Sequence, residues 1–312
     1  MAVRQAVNGA LRKAILVSSG SPRVRRFASR HGLRLGASRF VAGEDLDACV
    51  AVLRRLNEQG LYANTTLLGE DVLEEVEARA VADEYLTIVR RLDDEKLKAN
   101  VALKLTHLGL DIDEELAYEN VARVVGGAAE LGNFVRIDME YSALVDATLR
   151  IYRRLREAAL DNVGTVLQSY LYRTPGDLES LLPLAPNLRL VKGAYLEPES
   201  VAYPKKADVD AAYIRLVERS LTGGGYTAIA THDERMIDHA LAFAQRQGIG
   251  RDRFELQMLY GVRPQLQLDL VARGYKVLVA TPFGPEWFPF FTRRLAERPA
   301  NLLFVARNLV RR

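Results

Sequence analysis

Cysteine is almost missing from this 312-residue sequence, with Cys49 the single one. One thiol cannot close an internal disulfide, which suits a reducing compartment. No His–Asn partner pattern surrounds it, so Cys49 is expected to be a buried structural thiol. Histidine is also scarce, four in all, and none falls in HxH or HExxH spacing, so no metal site is expected. Long apolar runs are absent. Ala14-Ile15-Leu16-Val17 is far shorter than a signal h-region, and nothing approaches the ~20 residues of a membrane span. Linkers rich in Pro or Ser and low-complexity segments are absent too. The glycine-rich phosphate loops GxGxxG and GxxxxGKS/T do not occur, which argues against a doubly wound dinucleotide fold.

Charge is unevenly spread. The net value is only +3, yet residues 1–40 hold nine Lys or Arg, among them Arg23, Arg25 and Arg26, and no acid. That leaves 34 basic and 40 acidic residues in 41–312. A basic arm can touch an anionic membrane surface, although a solvated helical arm is the plainer expectation. Nucleic acid is disfavoured, because no recognised binding motif accompanies the charge.

Residues 1–58 read as an all-helical extension. In 45–57, the apolar residues Leu46, Val50, Leu53 and Leu56 recur at helical spacing. From residue 59 to 312 the pattern is that of a catalytic domain. Short β-branched apolar runs cover 61–67, 101–106, 133–139, 164–170, 188–194, 226–232, 254–259 and 275–281. Amphipathic stretches such as 71–92, 141–159, 208–221 and 234–247 lie between them. Alternating strands and helices imply βαβ units and a parallel sheet, and eight units fit a closed (β/α)8 barrel.

Polar residues gather where these strands should end: Lys104, Thr106, Asp138, Glu140, Gln168, Lys192, Thr231, His232, Gln257 and Thr281. Barrel active sites sit at that end. Buried polar groups are costly without partners, so this convergence points to a large polar ligand. Near the C-terminus, Phe290, Arg293, Arg294 and Glu297 share one helix face, where paired guanidiniums can hold a carboxylate. Taken alone, that helix is equally a surface helix with an i,i+4 pair worth ~0.2–0.5 kcal/mol. Gly193-Ala194 after Lys192 would let a ligand approach the backbone, or Gly193 could equally be a packing glycine at a strand end.

Ordered together, these pieces resemble the proline dehydrogenase family in its monofunctional bacterial form, over roughly residues 60–300. They are Leu103-Lys104-Leu105-Thr106, Val135-Arg136-Ile137-Asp138-Met139-Glu140, Gln168-Ser169-Tyr170, Arg189-Leu190-Val191-Lys192-Gly193-Ala194-Tyr195, Ala230-Thr231-His232, Phe254-Glu255-Leu256-Gln257-Met258-Leu259-Tyr260-Gly261 and Arg293-Arg294-Leu295-Ala296-Glu297. The resemblance implies a distorted (β/α)8 TIM barrel with FAD at the strand C-termini and a C-terminal helix over the mouth.

It assigns flavin contacts to Gln168, Arg189, Val191, Lys192, Gly193, Ala194, Thr231, His232 and Gln257. It assigns the substrate carboxylate to Arg293, Arg294 and Lys104, with Asp138, Tyr195, Leu259 and Glu297 completing the pocket. The implied reaction oxidises L-proline to 1-pyrroline-5-carboxylate by hydride transfer to flavin N5, as the first step of proline catabolism. Electrons would pass to a membrane quinone, and the product to a separate dehydrogenase. The implied location is cytoplasmic, in transient contact with the membrane surface. Two positions depart from the family: Ala280 and Phe290 stand where many members carry Tyr. Those departures leave room for ring-substituted prolines. A Schiff-base aldolase or transaldolase using Lys104 or Lys192 is a rival, against which Asp138 and the nearby acids weigh. A non-enzymatic binding protein on a degenerate barrel is a third reading, disfavoured by the intact polar set.

Overall fold

The computed structural model describes residues 37–287. The basic arm up to residue 36, and Phe290, Arg293, Arg294, Glu297 and the expected helix over the mouth, lie outside the described residues.

The first helix, α1 (Leu46–Glu58), starts where the Asp45 carboxylate accepts a hydrogen bond from the Ala48 N–H. It packs against β1 (Tyr62–Leu67) and β8 (Val277–Phe283). Between those strands the chain runs through α2 (Glu75–Asp94), β2 (Ala99–Leu103), α3 (Glu114–Glu130), β3 (Val135–Ile137), α4 (Val145–Glu157) and β4 (Val163–Gln168). It continues through α5 (Thr174–Leu181), β5 (Asn187–Val191), α6 (Lys206–Thr222), β6 (Tyr226–Ala230), α7 (Glu234–Arg246), β7 (Phe254–Leu259) and α8 (Pro264–Ala272). All eight strands fall where the apolar runs lie, and they pair in parallel in sequence order. Six matched positions, from Tyr62 opposite Leu278 to Leu67 opposite Phe283, join β1 to β8 and close the barrel.

The closure is uneven. β3 has three residues and pairs with β4 at two positions only, Val135 with Val163 and Arg136 with Gly164. Residues 40–45, inside the expected all-helical extension, are not helical. The Ala42 N–H donates to Pro282 O at 2.8 Å, and the Gly284 N–H donates to Gly43 O at 3.0 Å. This segment therefore runs beside the end of β8, where backbone pairing replaces helix.

Each helix turns one apolar stripe to the sheet. On α2 the stripe is Ala78, Val81, Ala82, Tyr85, Ile88, Val89 and Leu92, all buried. A fully buried large side chain of this type contributes about 1.5–3 kcal/mol. The Tyr85 hydroxyl donates to Ala102 O at 3.1 Å, so the helix is also tied to β2. On the solvent side, contacts link neighbours around the ring: Arg91–Asp47, Arg79–Glu119, Arg154–Glu115, Arg173–Asp146, Arg219–Glu179, His239–Glu218 and Arg273–Asp238. Cys49 is buried with its Sγ 3.2 Å from Thr65 Oγ1, and burial pushes the thiol up to about 12. Among the described residues, no helix is long and apolar enough to cross a membrane.

Barrel interiors are ordinarily filled by branched apolar side chains. This one is polar through much of its depth. Inward positions alternate along each strand, which brings Asn64, Arg136, Asn187, Arg189, Glu255 and Gln257 into the interior together. Gly164 makes room for Arg136. A Cβ there would lie 2.4 Å from Arg136 Nη1 and 2.5 Å from Asn187 O. Gly164→Ala is therefore expected to destabilise the fold by about 1–3 kcal/mol through overpacking, read as a lower midpoint in urea. An unchanged midpoint would show that the guanidinium can move aside.

Candidate active site

A cavity of about 670 Å³ opens at the C-terminal ends of the strands. Its walls include Lys104 after β2, Asp138 after β3, Gln168 ending β4, Arg189 and Val191 on β5, and Lys192, Gly193, Ala194 and Tyr195 beyond it. Thr231 and His232 follow β6, and Gln257 and Leu259 lie on β7. The thirteen described residues that the family resemblance assigns to the site therefore share one chamber. Arg293, Arg294 and Glu297 lie outside the described residues.

Arg189 organises the floor. Its Nε donates to Gln257 Oε1, its Nη1 to Asp138 Oδ1 and its Nη2 to Asn64 Oδ1, each at 2.6 Å. One guanidinium thus ties β5 to β7, β1 and the end of β3. Gln257 in turn donates its amide to Glu255 Oε1 at 2.5 Å, so its oxygen must face Arg189. Glu255 is held by Lys276 at 2.8 Å and by the Tyr226 hydroxyl at 3.1 Å. Burial alone would raise its carboxyl, but Lys276, Gln257 and Arg136 outweigh that and lower it.

Each lysine of the site faces a carboxylate. Lys104 is paired with Glu70, and Lys192 with Asp210 at 2.7 Å. Schiff-base chemistry needs an amine free of its proton, so these ion pairs weigh against the aldolase alternative. His232 Nε2 accepts the Leu259 N–H at 2.8 Å. That acceptor role leaves the ring's hydrogen on Nδ1 in the neutral form. The Leu259 carbonyl is pinned by Gln267 at 3.1 Å. The Tyr195 ring rests on Tyr141 with centroids 4.4 Å apart. Gly193 has φ +114° and presses on the Tyr170 ring, which a Cβ would meet at 2.2 Å. Its conformation and this packing require glycine.

Three residues expected at the site turn away from it. Thr281 is fully buried and donates to Val279 O at 2.9 Å. β8 runs two residues further than expected, and Ala280 and Pro282, its neighbours on either side, are the ones lining the cavity. Thr106 and Glu140 satisfy one another. Glu140 accepts the Thr106 N–H at 3.1 Å and the Thr106 hydroxyl at 2.6 Å. The Glu140 carbonyl accepts the Gln168 amide at 2.9 Å. Glu140 thereby fixes the turn just after Lys104 and the orientation of Gln168.

Sequence reasoning did not single out Phe40, Lys206 or Arg263, all of which line the cavity. Phe40 was hidden in the supposed helical arm. Lys206 and Arg263 sit just outside the strand motifs, and only their cationic character could have marked them. The lining has five Lys or Arg against Asp138 and Asp233, a donor set that suits an anionic ligand. Asp233 is held at about 2, chiefly by its hydrogen bond from Arg235. No group of three or more His, Cys, Asp or Glu that could hold a metal occurs among the described residues.

The family model described as proline dehydrogenase matches residues 49–307. The proline dehydrogenase of Deinococcus radiodurans is 44% identical over 304 residues, covering 96% of this chain and 98% of the relative. Proline dehydrogenase 2 of Bacillus subtilis is 42% identical over 301 residues, covering 96% and 99%. A crystal structure of proline utilization A from Bdellovibrio bacteriovorus, inactivated by N-propargylglycine, is similar with a TM-score of 0.78 at 26% identity. The match covers 84% of this chain and 32% of that one, so this chain spans about a third of that protein's length.

Glu140 offers a test of the geometry beneath the cavity. Burial pushes its carboxyl up to about 7, against the opposing pull of Thr106 and Lys104. A carboxyl raised in the folded state binds its proton more tightly there than in the unfolded chain. Its contribution to stability is therefore fully present below the ordinary carboxylate range and falls as pH rises through about 7. Glu140→Gln cannot ionise and escapes that loss. The melting temperature of Glu140→Gln relative to the parent is expected to rise between about pH 5 and about pH 8. A constant difference across that range would refute the assignment.

Proposed function

We infer the function from one premise: this chain belongs to the proline dehydrogenase family. It is an oxidoreductase that oxidises proline. The finer reading we propose is FAD-dependent conversion of L-proline to 1-pyrroline-5-carboxylate, with the cofactor held by Gln168, Arg189, Val191, Lys192, Gly193, Ala194, Thr231, His232 and Gln257. The observation that carries this reading is the single chamber, rich in cations yet walled in part by Val166, Met258 and Leu259. Its volume lies within the ~300–1,000 Å³ typical of ligand sites. Amide, hydroxyl and cationic donors on its walls match the carbonyls of a flavin ring and the charge of a pyrophosphate.

When bound, FAD supplies the hydride acceptor at its N5. The chain's own groups do the rest. Lys104, with Arg293 and Arg294, holds the substrate carboxylate. Leu259 and the Tyr195 ring, steadied by Tyr141, form the apolar wall for the pyrrolidine ring. Asp138 and Glu297 orient the cations. The amine gives up its proton to a carboxylate or to water in the cavity. Electrons pass on to a quinone, and the basic residues of 1–40 bring the cytoplasmic protein to an anionic membrane surface. A separate dehydrogenase takes the product.

Purified protein should be yellow and should lose its visible flavin absorption with anaerobic proline. Lys104→Met should raise KM for proline at least ~10-fold, because a charge-assisted contact is lost. Colourless protein, or a colour that proline leaves unchanged, would sink the cofactor reading. Ala280 lines the cavity, so hydroxyproline should also be turned over, and Ala280→Tyr should suppress hydroxyproline more than proline. Robust proline turnover with no detectable hydroxyproline turnover would show the pocket to be tighter than its lining suggests. Removing residues 1–36 should weaken binding to anionic liposomes and leave flavin reduction intact; equal binding would disprove a membrane role for the arm.

A further inference from the structure

Among the described residues, Arg136 is the buried cation of the barrel interior that neither the site nor the proposed mechanism uses. It is 2% exposed and sits on β3 opposite Gly164. Its Nη1 donates to Thr165 O at 3.0 Å and to Asn187 O at 2.8 Å, and its Nη2 to Asn187 Oδ1 at 2.5 Å. Phe134 lies against it, with the guanidinium carbon 4.8 Å from the ring centroid. Its Nε has no hydrogen-bond partner. Every acceptor it touches is neutral, and among the described residues no carboxylate comes within 4.0 Å of it. Arg189 by contrast is neutralised by Asp138 at 2.6 Å.

Neutral carbonyls can stabilise such a charge locally, but they do not cancel it at a distance. Burial and the like charge of Arg189 push the guanidinium down to about 9, against the opposing pull of Glu255 and Asp138, which still leaves it charged at neutral pH. Arg136 and Asp138 are two residues apart on the same inward face of β3. At ~3.3 Å per residue, Arg136 lies roughly 7 Å beneath the cavity floor. A buried charge over that distance is poorly screened by salt. For stability alone the choice is poor, since an apolar side chain of similar volume would avoid the desolvation cost.

We propose that Arg136 supplies a positive charge under the cofactor cavity that no contacting carboxylate neutralises, and that this charge raises the reduction potential of the bound flavin. The inference rests on the FAD reading above. Hydride leaving the substrate carbon carries two electrons and one proton, while the substrate nitrogen loses its own proton to a base or water. The acceptor therefore gains one negative charge at that step, which a cation below it favours. Glu255, also buried and on the inward face of β7, carries the opposite charge, damped by its 2.8 Å ion pair with Lys276. The two residues thus form a pair of levers of opposite sign, neither touching substrate or cofactor.

The experiment measures the reduction potential of the flavin in the purified holoenzyme by dye equilibration, together with flavin content. Arg136→Gln is expected to make reduction roughly ten-fold less favourable, about 30 mV lower for a two-electron couple. Arg136→Lys, which keeps the charge, should stay near the parent. Glu255→Gln should shift the potential upward. Repair of the short β3 pairing, as a purely structural role, would instead make Arg136→Gln and Arg136→Lys behave alike. That result overturns the proposal, as does a shift of Arg136→Gln and Glu255→Gln in the same direction. If Arg136→Gln does not fold or retain flavin, Glu255→Gln decides alone, and an unchanged or lowered potential refutes the idea. Parent protein without flavin would overturn the cofactor reading and this inference together, whereas a reducible parent with unmoved variants overturns the inference only.

Discussion

The Arg189 guanidinium is the fixed point from which the cavity is built. Its three 2.6 Å hydrogen bonds reach Gln257, Asp138 and Asn64. A planar fork with donors in set directions can do this; a lysine ammonium cannot hold three such partners in one plane. The consequence runs outward along both faces. Gln257 can present its oxygen to Arg189 only because Glu255 takes its amide hydrogens, and Glu255 is anchored by Lys276 at the opposite end of the barrel. A continuous polar chain thus passes from the partly exposed Lys276 through the interior to Asp138 on the cavity wall. Its members are rigid because a half-satisfied buried network would cost more than an apolar core.

Charge does different work outside and inside the barrel. The ion pairs that join one helix to the next are largely exposed, as with Arg154–Glu115 at 37% and 57%. Exposed pairs contribute about 0–1 kcal/mol each, screened by salt. They keep the helices from sliding but cannot decide the fold, which the buried stripes such as that of α2 decide. Inside, the same residue types are few and desolvated, so each one sets geometry and field in the cavity.

The alternation of strand and helix was legible because each helix has one apolar stripe and each strand a short β-branched run. The eight strands followed from that. What the periodicity could not supply was the last residue of each strand, and one residue of error reverses which face a side chain takes. Thr281 is expected to end β8, yet the strand runs on to Phe283, and Ala280 and Pro282, on the opposite face from Thr281, line the cavity. Thr106 and Glu140 were read correctly as strand-end polar residues, but a sequence does not reveal that two such residues satisfy each other. Arg136 and Glu255 went unread because a charged residue inside a barrel breaks the apolar template. A signal was present all the same: each stands two positions before an expected site residue, Asp138 and Gln257, and so shares its inward face. Phe40 escaped because residues 40–45 were read as part of a helix. Nine of the thirteen described residues assigned to the site, Lys104, Asp138, Gln168, Lys192, Gly193, Ala194, Thr231, His232 and Gln257, stand out at strand ends by type and place, while the other four, Arg189, Val191, Tyr195 and Leu259, are assigned only by the family motifs.

The shortest seam of the barrel and a buried guanidinium with no contacting carboxylate lie at one place. β3 meets β4 at two positions only. Arg136 fills the deficit there, its guanidinium supplying N–H donors to Thr165 O and Asn187 O. Thr165 O lies on β4 and Asn187 O on β5, so this one side chain reaches from β3 across two neighbouring strands. The missing Cβ at Gly164 completes the arrangement, because only a glycine leaves space for the side chain. The irregularity of the barrel is thus the means by which a charge is kept in its interior. An apolar interior would be cheaper to fold, but it could neither hold Arg189 in position nor place a charge beneath the chamber.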